Sequence, residues 1–184
     1  MALNPITWLK SCIRGMMLRR KFPTSIIPSG ATVDYSTELG KYSVLFRDVV
    51  IINSSLGTYS YVQSGSVVCN AKIGRFCSIA SNVNVGLADH PLQMVSTSPI
   101  FYDNTQPLPK FLINRWAFAE IMSQTIIGAD VWIGNGVLIK AGATIGVGAV
   151  IGAGLIVTKD VPPYVIAADN PCRQITTRFT EDII

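Results

Sequence analysis

His90 is the only histidine among 184 residues, and it lies in the segment Gly86-Leu-Ala-Asp-His90-Pro. An imidazole titrates near neutrality, so it can take the proton of a hydroxyl as that oxygen attacks an electrophile. Asp89 precedes it, but neighbouring side chains on extended chain point to opposite sides. A backbone carbonyl is therefore at least as good a candidate to hold the second ring nitrogen. The four cysteines, Cys12, Cys69, Cys77 and Cys172, contain no CxxC pair, no framework spacing and no pairing with the histidine. They read as reduced thiols of a cytoplasmic protein, and nothing in their spacing calls for a covalent thiol intermediate.

The frame that must position His90 is a repeat. Ile127, Ile133, Ile139, Ile145, Ile151 and Val157 open six consecutive hexapeptides without a gap. A period of six matches neither an amphipathic helix nor a hairpin meander, and marks a stacked repeat. The fifth position of each unit is also apolar: Val131, Val137, Ala143, Ala149, Leu155 and Val161. Gly follows the lead aliphatic at 128, 134, 146 and 152. One inward aliphatic, a tight corner and a second small inward residue describe one flat side of a narrow parallel β-helix. Upstream units open at Ile27, Val33, Leu39, Leu45, Ile51, Leu56, Val62, Val68, Ile73, Ile79 and Val85. The units 51–55 and 68–72 hold five residues, which predicts the same trimmed corner in successive coils. Three units make a coil, so the sequence predicts about five to six coils stacked ~4.8 Å apart.

Between Val85 and Ile127 the repeat stops. A non-repeating loop excursion over 91–125 inside such a frame is expected to carry function. His90 sits where the coil gives way to it. Ser96 and Tyr102 are the acceptor-side candidates, and Phe101, Tyr102, Trp116 and Phe118 the expected water-excluding wall.

Composition sets further bounds. One domain of this length can bury a continuous core. Only 14% of residues are charged and mean hydropathy is +0.40, so flat apolar faces should self-associate, with a homotrimer as the natural result. The first 33 residues hold five basic side chains (Lys10, Arg14, Arg19, Arg20, Lys21) and no acid, leaving ten basic and eleven acidic in the rest. The basic pI thus describes the N-terminus and implies no nucleic-acid surface. Residues 6–18 read as a helix with Ile6, Leu9, Ile13 and Met16 or Met17 on one face. Residues 1–24 are expected to cap the β-helix, which occupies 25–179 before a tail at 180–184. The second reading of that helix is weak contact with an anionic membrane surface at the inner face of the membrane. No secretion signal or spanning segment is read, so the expected location is cytoplasmic.

Several strings together carry a resemblance: Ile127-Gly-Ala-Asp-Val-Trp-Ile-Gly134, Ile151-Gly-Ala-Gly154, Val157-Thr-Lys-Asp-Val-Pro-Pro-Tyr164, Asn170-Pro-Cys-Arg173 and His90-Pro. Over roughly residues 27 to 179 the chain resembles the hexapeptide-repeat acyltransferases. The likeness is to O-acetyltransferases related to the chloramphenicol and streptogramin enzymes and to the maltose and galactoside acetyltransferases. That resemblance implies an all-β, left-handed parallel β-helix, a homotrimer with active sites between subunits, and acetyl-CoA as co-substrate. It implies His90 as general base. It places Trp132 and Asn135 at the thioester end of the cofactor, Ala153 beside the pantetheine, and Thr158, Lys159 and Arg173 near the adenine and phosphates. Cationic side chains suit phosphates, Lys as a point charge and Arg as a fork. The chain departs from the family where relatives carry Gly-Gly and it carries Ala168-Asp169; Asp tolerates positive φ, but not as Gly does.

The function expected from these residues is acetyl transfer from acetyl-CoA to a sugar hydroxyl, of a surface polysaccharide or its precursor. The alternative is a xenobiotic acetyltransferase or a sugar N-acetyltransferase acting on a small-molecule acceptor. A non-catalytic β-helix is a third reading, which absence of acetyl-CoA binding by calorimetry would favour. A zinc enzyme on this fold needs three imidazoles per metal, which one histidine per chain in a three-site trimer does not supply, so no metal is expected.

Overall fold

The computed structural model describes residues 5–105, 107–115, 123–170 and 172–180, with helix side chains from Ile13 onward. Trp116 and Phe118, and the side chains of Ile6 and Leu9, lie outside the described residues.

Each repeat becomes a short strand whose lead aliphatic turns inward, followed by a corner. The first coil is β1 (Thr32–Val33), β2 (Glu38–Leu39) and β3 (Val44–Leu45); the second is β4 (Val50–Ile52), β5 (Ser55–Leu56) and β6 (Tyr61–Val62). The third is β7 (Val67–Cys69), β8 (Ala71–Ile73) and β9 (Ser78–Ile79); the fourth is β10 (Asn84–Leu87), β11 (Thr125–Ile127) and β12 (Trp132–Ile133). The fifth is β13 (Leu138–Lys140), β14 (Thr144–Ile145) and β15 (Val150–Ile151). The sixth is β16 (Ile156–Val157), a single bridge at Val161, and β17 (Val165–Ala168). Strands stack in parallel on three faces, and the register places like on like: Val33, Ile51, Val68, Val85, Ile139 and Val157 pair in turn. The result is a left-handed parallel β-helix. Its core is one column of Ile, Val, Leu and Ala, each large member contributing about 1.5–3 kcal/mol by leaving water. Ile26 bridges Val44 and starts a seventh level on the third face.

The two five-residue units do trim one edge, that between the first and second faces. Their corners, Asn53 and Asn70, share φ 47°, and the Asn53 amide donates to Asn70 Oδ1 at 3.1 Å. The excursion leaves from this same edge one coil later. The last hexad differs from the sequence reading. Val161 is not its fifth residue but the inward residue of the next face, bridging Ile145, while Val165 takes the corner position before Ala167. Two consecutive prolines follow Val161; they cannot donate to a ladder, and the strand there shrinks to a single bridge.

Helix α1 (Pro5–Lys21) is longer than expected and packs through another face. Leu18 touches the core, the Arg14 guanidinium donates to Val33 O at 2.9 Å, and Lys21 donates to Tyr35 O and Thr37 O while pairing with Glu38 at 3.0 Å. Ile13, Met16 and Met17 are exposed. The sequence reading put the apolar row on the prism; polar anchoring by Arg14 and Lys21 to backbone carbonyls of the first coil turns it outward. At the other end, β18 (Arg173–Thr177) folds back antiparallel on β17. Arg178 then ties the second-to-third edge by donating to Asp130 Oδ2 at 2.8 Å and Gly148 O at 2.9 Å.

Candidate active site

The excursion begins at a bulge. Gly86 has φ +83°, and a Cβ there would lie 2.0 Å from Cys69 O, so only glycine allows β10 to bend across the coil below. The pairing register with β13 shifts at this point, and the chain leaves the prism after Leu87 to return at Thr125. Asp89 is pinned to the fifth coil by an ion pair with Lys140 at 2.7 Å. That pairing takes Asp89 away from the imidazole. Lys140 left no mark in the sequence, because its partner lies 51 residues earlier and only coil stacking brings the two together.

His90 follows on the exposed side of the loop. Its Nδ1 lies 3.0 Å from the Tyr102 hydroxyl, and that hydroxyl lies 3.2 Å from Thr97 O. Among the described residues the ring is thus held by Tyr102, and neither by Asp89 nor by a backbone carbonyl directly. No described residue makes a hydrogen bond to Nε2. Tyr102 was expected as part of an acceptor-facing wall. It is instead 1% exposed, folded beneath His90 by the short 3₁₀ turn Pro99–Phe101, with its N–H donating to Pro99 O at 3.0 Å. Ser96 was expected to meet the acceptor; its Oγ accepts the Ser98 N–H at 3.1 Å and so shapes the turn that presents Thr97 O. Phe101 is half-buried, and Leu92 and Val95, two and five residues after His90, are exposed.

The residues that the resemblance assigns to the cofactor fall into two groups. Trp132 lies on the third face, outward and 56% exposed. Asn135 and Ala153 follow on the edge between third and first faces, one coil apart, with Gly154 N donating to Asn135 O at 2.8 Å. The coils approach closely there: a Cβ on Gly134 would lie 2.6 Å from Ala153 N. Asn170 continues this edge, its amide donating to Gly154 O at 3.2 Å, and Asp169 adopts φ 66°. The position thus demands the left-handed region that Gly-Gly would fill freely, and Asp occupies it.

Thr158, Lys159 and Arg173 form the second group. They line a cavity of about 360 Å³ at the C-terminal end of the prism, together with Asp160 and Cys172. Lys159 and Arg173 are both exposed there, and two cations at one mouth suit a phosphorylated group. Asp160 is otherwise engaged, its Oδ1 accepting the Thr144 N–H at 2.8 Å. Burial pushes the thiols of Cys69, Cys77 and Cys172 above their ordinary value, which disfavours a thiolate nucleophile. No group of three or more His, Cys, Asp or Glu side chains that could hold a metal ion occurs among the described residues.

His90 and Asn135–Ala153 therefore occupy different edges of one prism, with the whole first face between them. One chain does not bring every assigned residue to one point.

No family model matches the chain. Chloramphenicol acetyltransferases from Escherichia coli and Klebsiella aerogenes are 42% and 41% identical over 112 residues, 59% of this chain and 52% of theirs. The chain thus spans about half the length of these relatives. Among solved structures, the N-acyltransferase AntD from Bacillus cereus, bound to dTDP and 3-hydroxybutyryl-CoA, superimposes with a TM-score of 0.70 at 18% identity. That match covers 92% of this chain and 90% of AntD. A maltose O-acetyltransferase from Clostridium difficile gives a TM-score of 0.58 at 29% identity, over 89% of this chain and 74% of that one.

Proposed function

We propose that the protein is an acetyltransferase that moves the acetyl group of acetyl-CoA directly to a hydroxyl, with His90 as general base. The observation that carries this is the His90 ring itself, tethered at Nδ1 by Tyr102 and with no hydrogen bond to Nε2 among the described residues. Nε2 takes the hydroxyl proton as the acceptor oxygen attacks the thioester carbonyl. The tetrahedral intermediate collapses with cleavage of the C–S bond, and the departing thiolate receives the proton back from the imidazolium. Lys159 and Arg173 would hold the phosphates at the C-terminal end, and the small Ala153 would leave room for the pantetheine against its edge. The raised thiol pKa values favour direct transfer over an acyl-cysteine. The 42% identity to chloramphenicol acetyltransferases and the CoA thioester bound by AntD support the donor and the reaction class.

The separation of His90 from Asn135 and Ala153 supports a homotrimer in which the loop of one subunit meets the cofactor edge of the next. For the acceptor, we favour a sugar hydroxyl of a polysaccharide or its precursor. The likeness to chloramphenicol acetyltransferases favours a second reading, a xenobiotic hydroxyl. Release of free CoA thiol, measured with glycan precursors, chloramphenicol and amino-sugar nucleotides, separates the readings. Turnover confined to glycan hydroxyls supports the first, turnover of chloramphenicol the second, and no acetyl-CoA-dependent turnover or binding overturns the transferase assignment.

No helix among the described residues is long and apolar enough to cross a membrane. The exposed Ile13, Met16 and Met17 with Arg19 and Arg20 on the same helix keep peripheral contact with an anionic membrane surface as part of the proposal for α1.

A further inference from the structure

We propose that Tyr102 is a positioning residue for His90: its hydroxyl fixes the imidazole as the Nδ1–H tautomer, which leaves Nε2 as the proton acceptor. This rests on the reading of His90 as general base but makes a claim about the ring that turnover does not decide.

The argument is one of donors and acceptors. Thr97 O is a carbonyl and only accepts, while Tyr102 has a single hydroxyl proton. That hydroxyl lies 3.2 Å from Thr97 O and 3.0 Å from His90 Nδ1. With the imidazole protonated at Nδ1, both contacts are hydrogen bonds: Nδ1–H donates to the phenol oxygen, and the phenol donates to Thr97 O. With the imidazole protonated at Nε2, one proton faces two acceptors, and one contact goes unmade. The protonated nitrogen of a histidine is set by the bond its partner nitrogen makes, and only the first arrangement makes both of these contacts hydrogen bonds.

The surroundings hold this geometry. Tyr102 is 1% exposed, and its backbone N–H is bound to Pro99 O at 3.0 Å. The carbonyl of Thr97 sits between the Ser96 turn, where Ser98 N–H donates to Ser96 Oγ, and the 3₁₀ turn that follows. Asp89, the charged neighbour in sequence, is occupied by Lys140 at 2.7 Å. A neutral phenol in place of a carboxylate orients the ring without adding a negative charge beside it.

The chain's single histidine makes the test direct. In protein labelled with ¹⁵N-histidine, long-range ¹H–¹⁵N spectra at a pH where the ring is neutral contain one pair of ring nitrogens. The expected spectrum shows a pyrrole-type Nδ1 and a pyridine-type Nε2. A pyridine-type Nδ1 in the wild-type protein overturns the proposal with no mutation involved. In Tyr102→Phe, which keeps the buried ring, the tautomer should move to Nε2–H. kcat should fall roughly 5- to 10-fold with KM for acetyl-CoA unchanged, the loss that one neutral hydrogen bond represents. An unmoved tautomer in that variant also overturns the proposal. Because the spectra need no turnover, a pyrrole-type Nδ1 in a protein that transfers no acetyl group would support the Tyr102 assignment while removing the reading of His90 as base.

Discussion

Replacing Gly74 with alanine tests whether the coils stack as closely as the site requires. A Cβ at Gly74 would lie 2.6 Å from Ala129 N and from Gly128 C and O, all backbone of the coil above. Ordinary contact begins near 3.4 Å, so the shortfall is about 0.8 Å. Neither neighbour can give way, because the fourth coil is fastened at this edge by Gly74 N–H to Ile127 O at 2.8 Å and Asp130 N–H to Arg75 O at 2.9 Å. Over-packing of this kind costs about 1–3 kcal/mol, and stretching either ladder bond adds about 0.5–1 kcal/mol. We expect a loss of about 3 kcal/mol, which for a chain of this size lowers Tm by roughly 6–12 °C. Gly154→Ala is the control. Nothing lies within 4 Å of a Cβ there, but φ is +72°, so it should cost only the left-handed penalty, about 1 kcal/mol. Urea unfolding of both variants at one protein concentration, followed by tryptophan fluorescence, gives the two values. Gly74→Ala as stable as wild type, or less damaging than Gly154→Ala, would refute the stacking argument.

Lys159→Ala and Arg173→Ala should each raise KM for acetyl-CoA roughly ten-fold with little change in kcat, and the loss should shrink at high salt, as steady-state kinetics will show. Asp34 should make the first coil acid-sensitive. Hydroxyls of Ser36 and then Thr37, with backbone N–H groups of Asn53 and Thr37, hold its carboxyl down from 3.8 to about 2. A depressed carboxylate stabilises the fold above its unfolded pKa and ceases to as pH falls through the folded one. Amide protection at Thr37 and Asn53 should therefore weaken between about pH 4 and pH 2, and this step should be absent in Asp34→Asn. Co-assembling His90→Ala with Ala153→Phe tests the shared site: each homotrimer should be inactive. A one-to-one mixture should recover activity at about a quarter of its interfaces. No recovery would place each site within one chain.

Much of the frame was legible because β-helix packing is local in its demands. Each coil needs one inward aliphatic per face, so Ile127 to Val157 read directly as a column, and the five-residue units 51–55 and 68–72 marked a trimmed edge by spacing alone. The reading slipped where local chemistry overrode period. Pro162 and Pro163 shortened the last unit and moved Val161 onto a strand position, and Arg14 and Lys21 rotated the helix away from its apolar row by bonding to backbone carbonyls of the first coil. The strings 157–164 and 170–173 singled out Thr158, Lys159 and Arg173, but the cavity these residues line left no mark in spacing. The environment of His90 was not, since it depends on a loop that carries no period. Tyr102 read as a contact residue because aromatic loop residues often are; that it turns under His90 follows from a 3₁₀ turn and one carbonyl, which leave no mark in spacing. Lys140 was hidden for a different reason, since a strand-end lysine looks solvated until the coil below supplies Asp89.

The central claim is that His90 carries the proton of the acceptor hydroxyl. The decisive measurement is single-turnover acetyl transfer by His90→Ala, with acetyl-CoA binding and oligomeric state checked against wild type. With binding and assembly intact, the transfer rate should fall about 10²- to 10⁴-fold. A His90→Ala protein that binds acetyl-CoA normally and transfers at the wild-type rate would contradict the account.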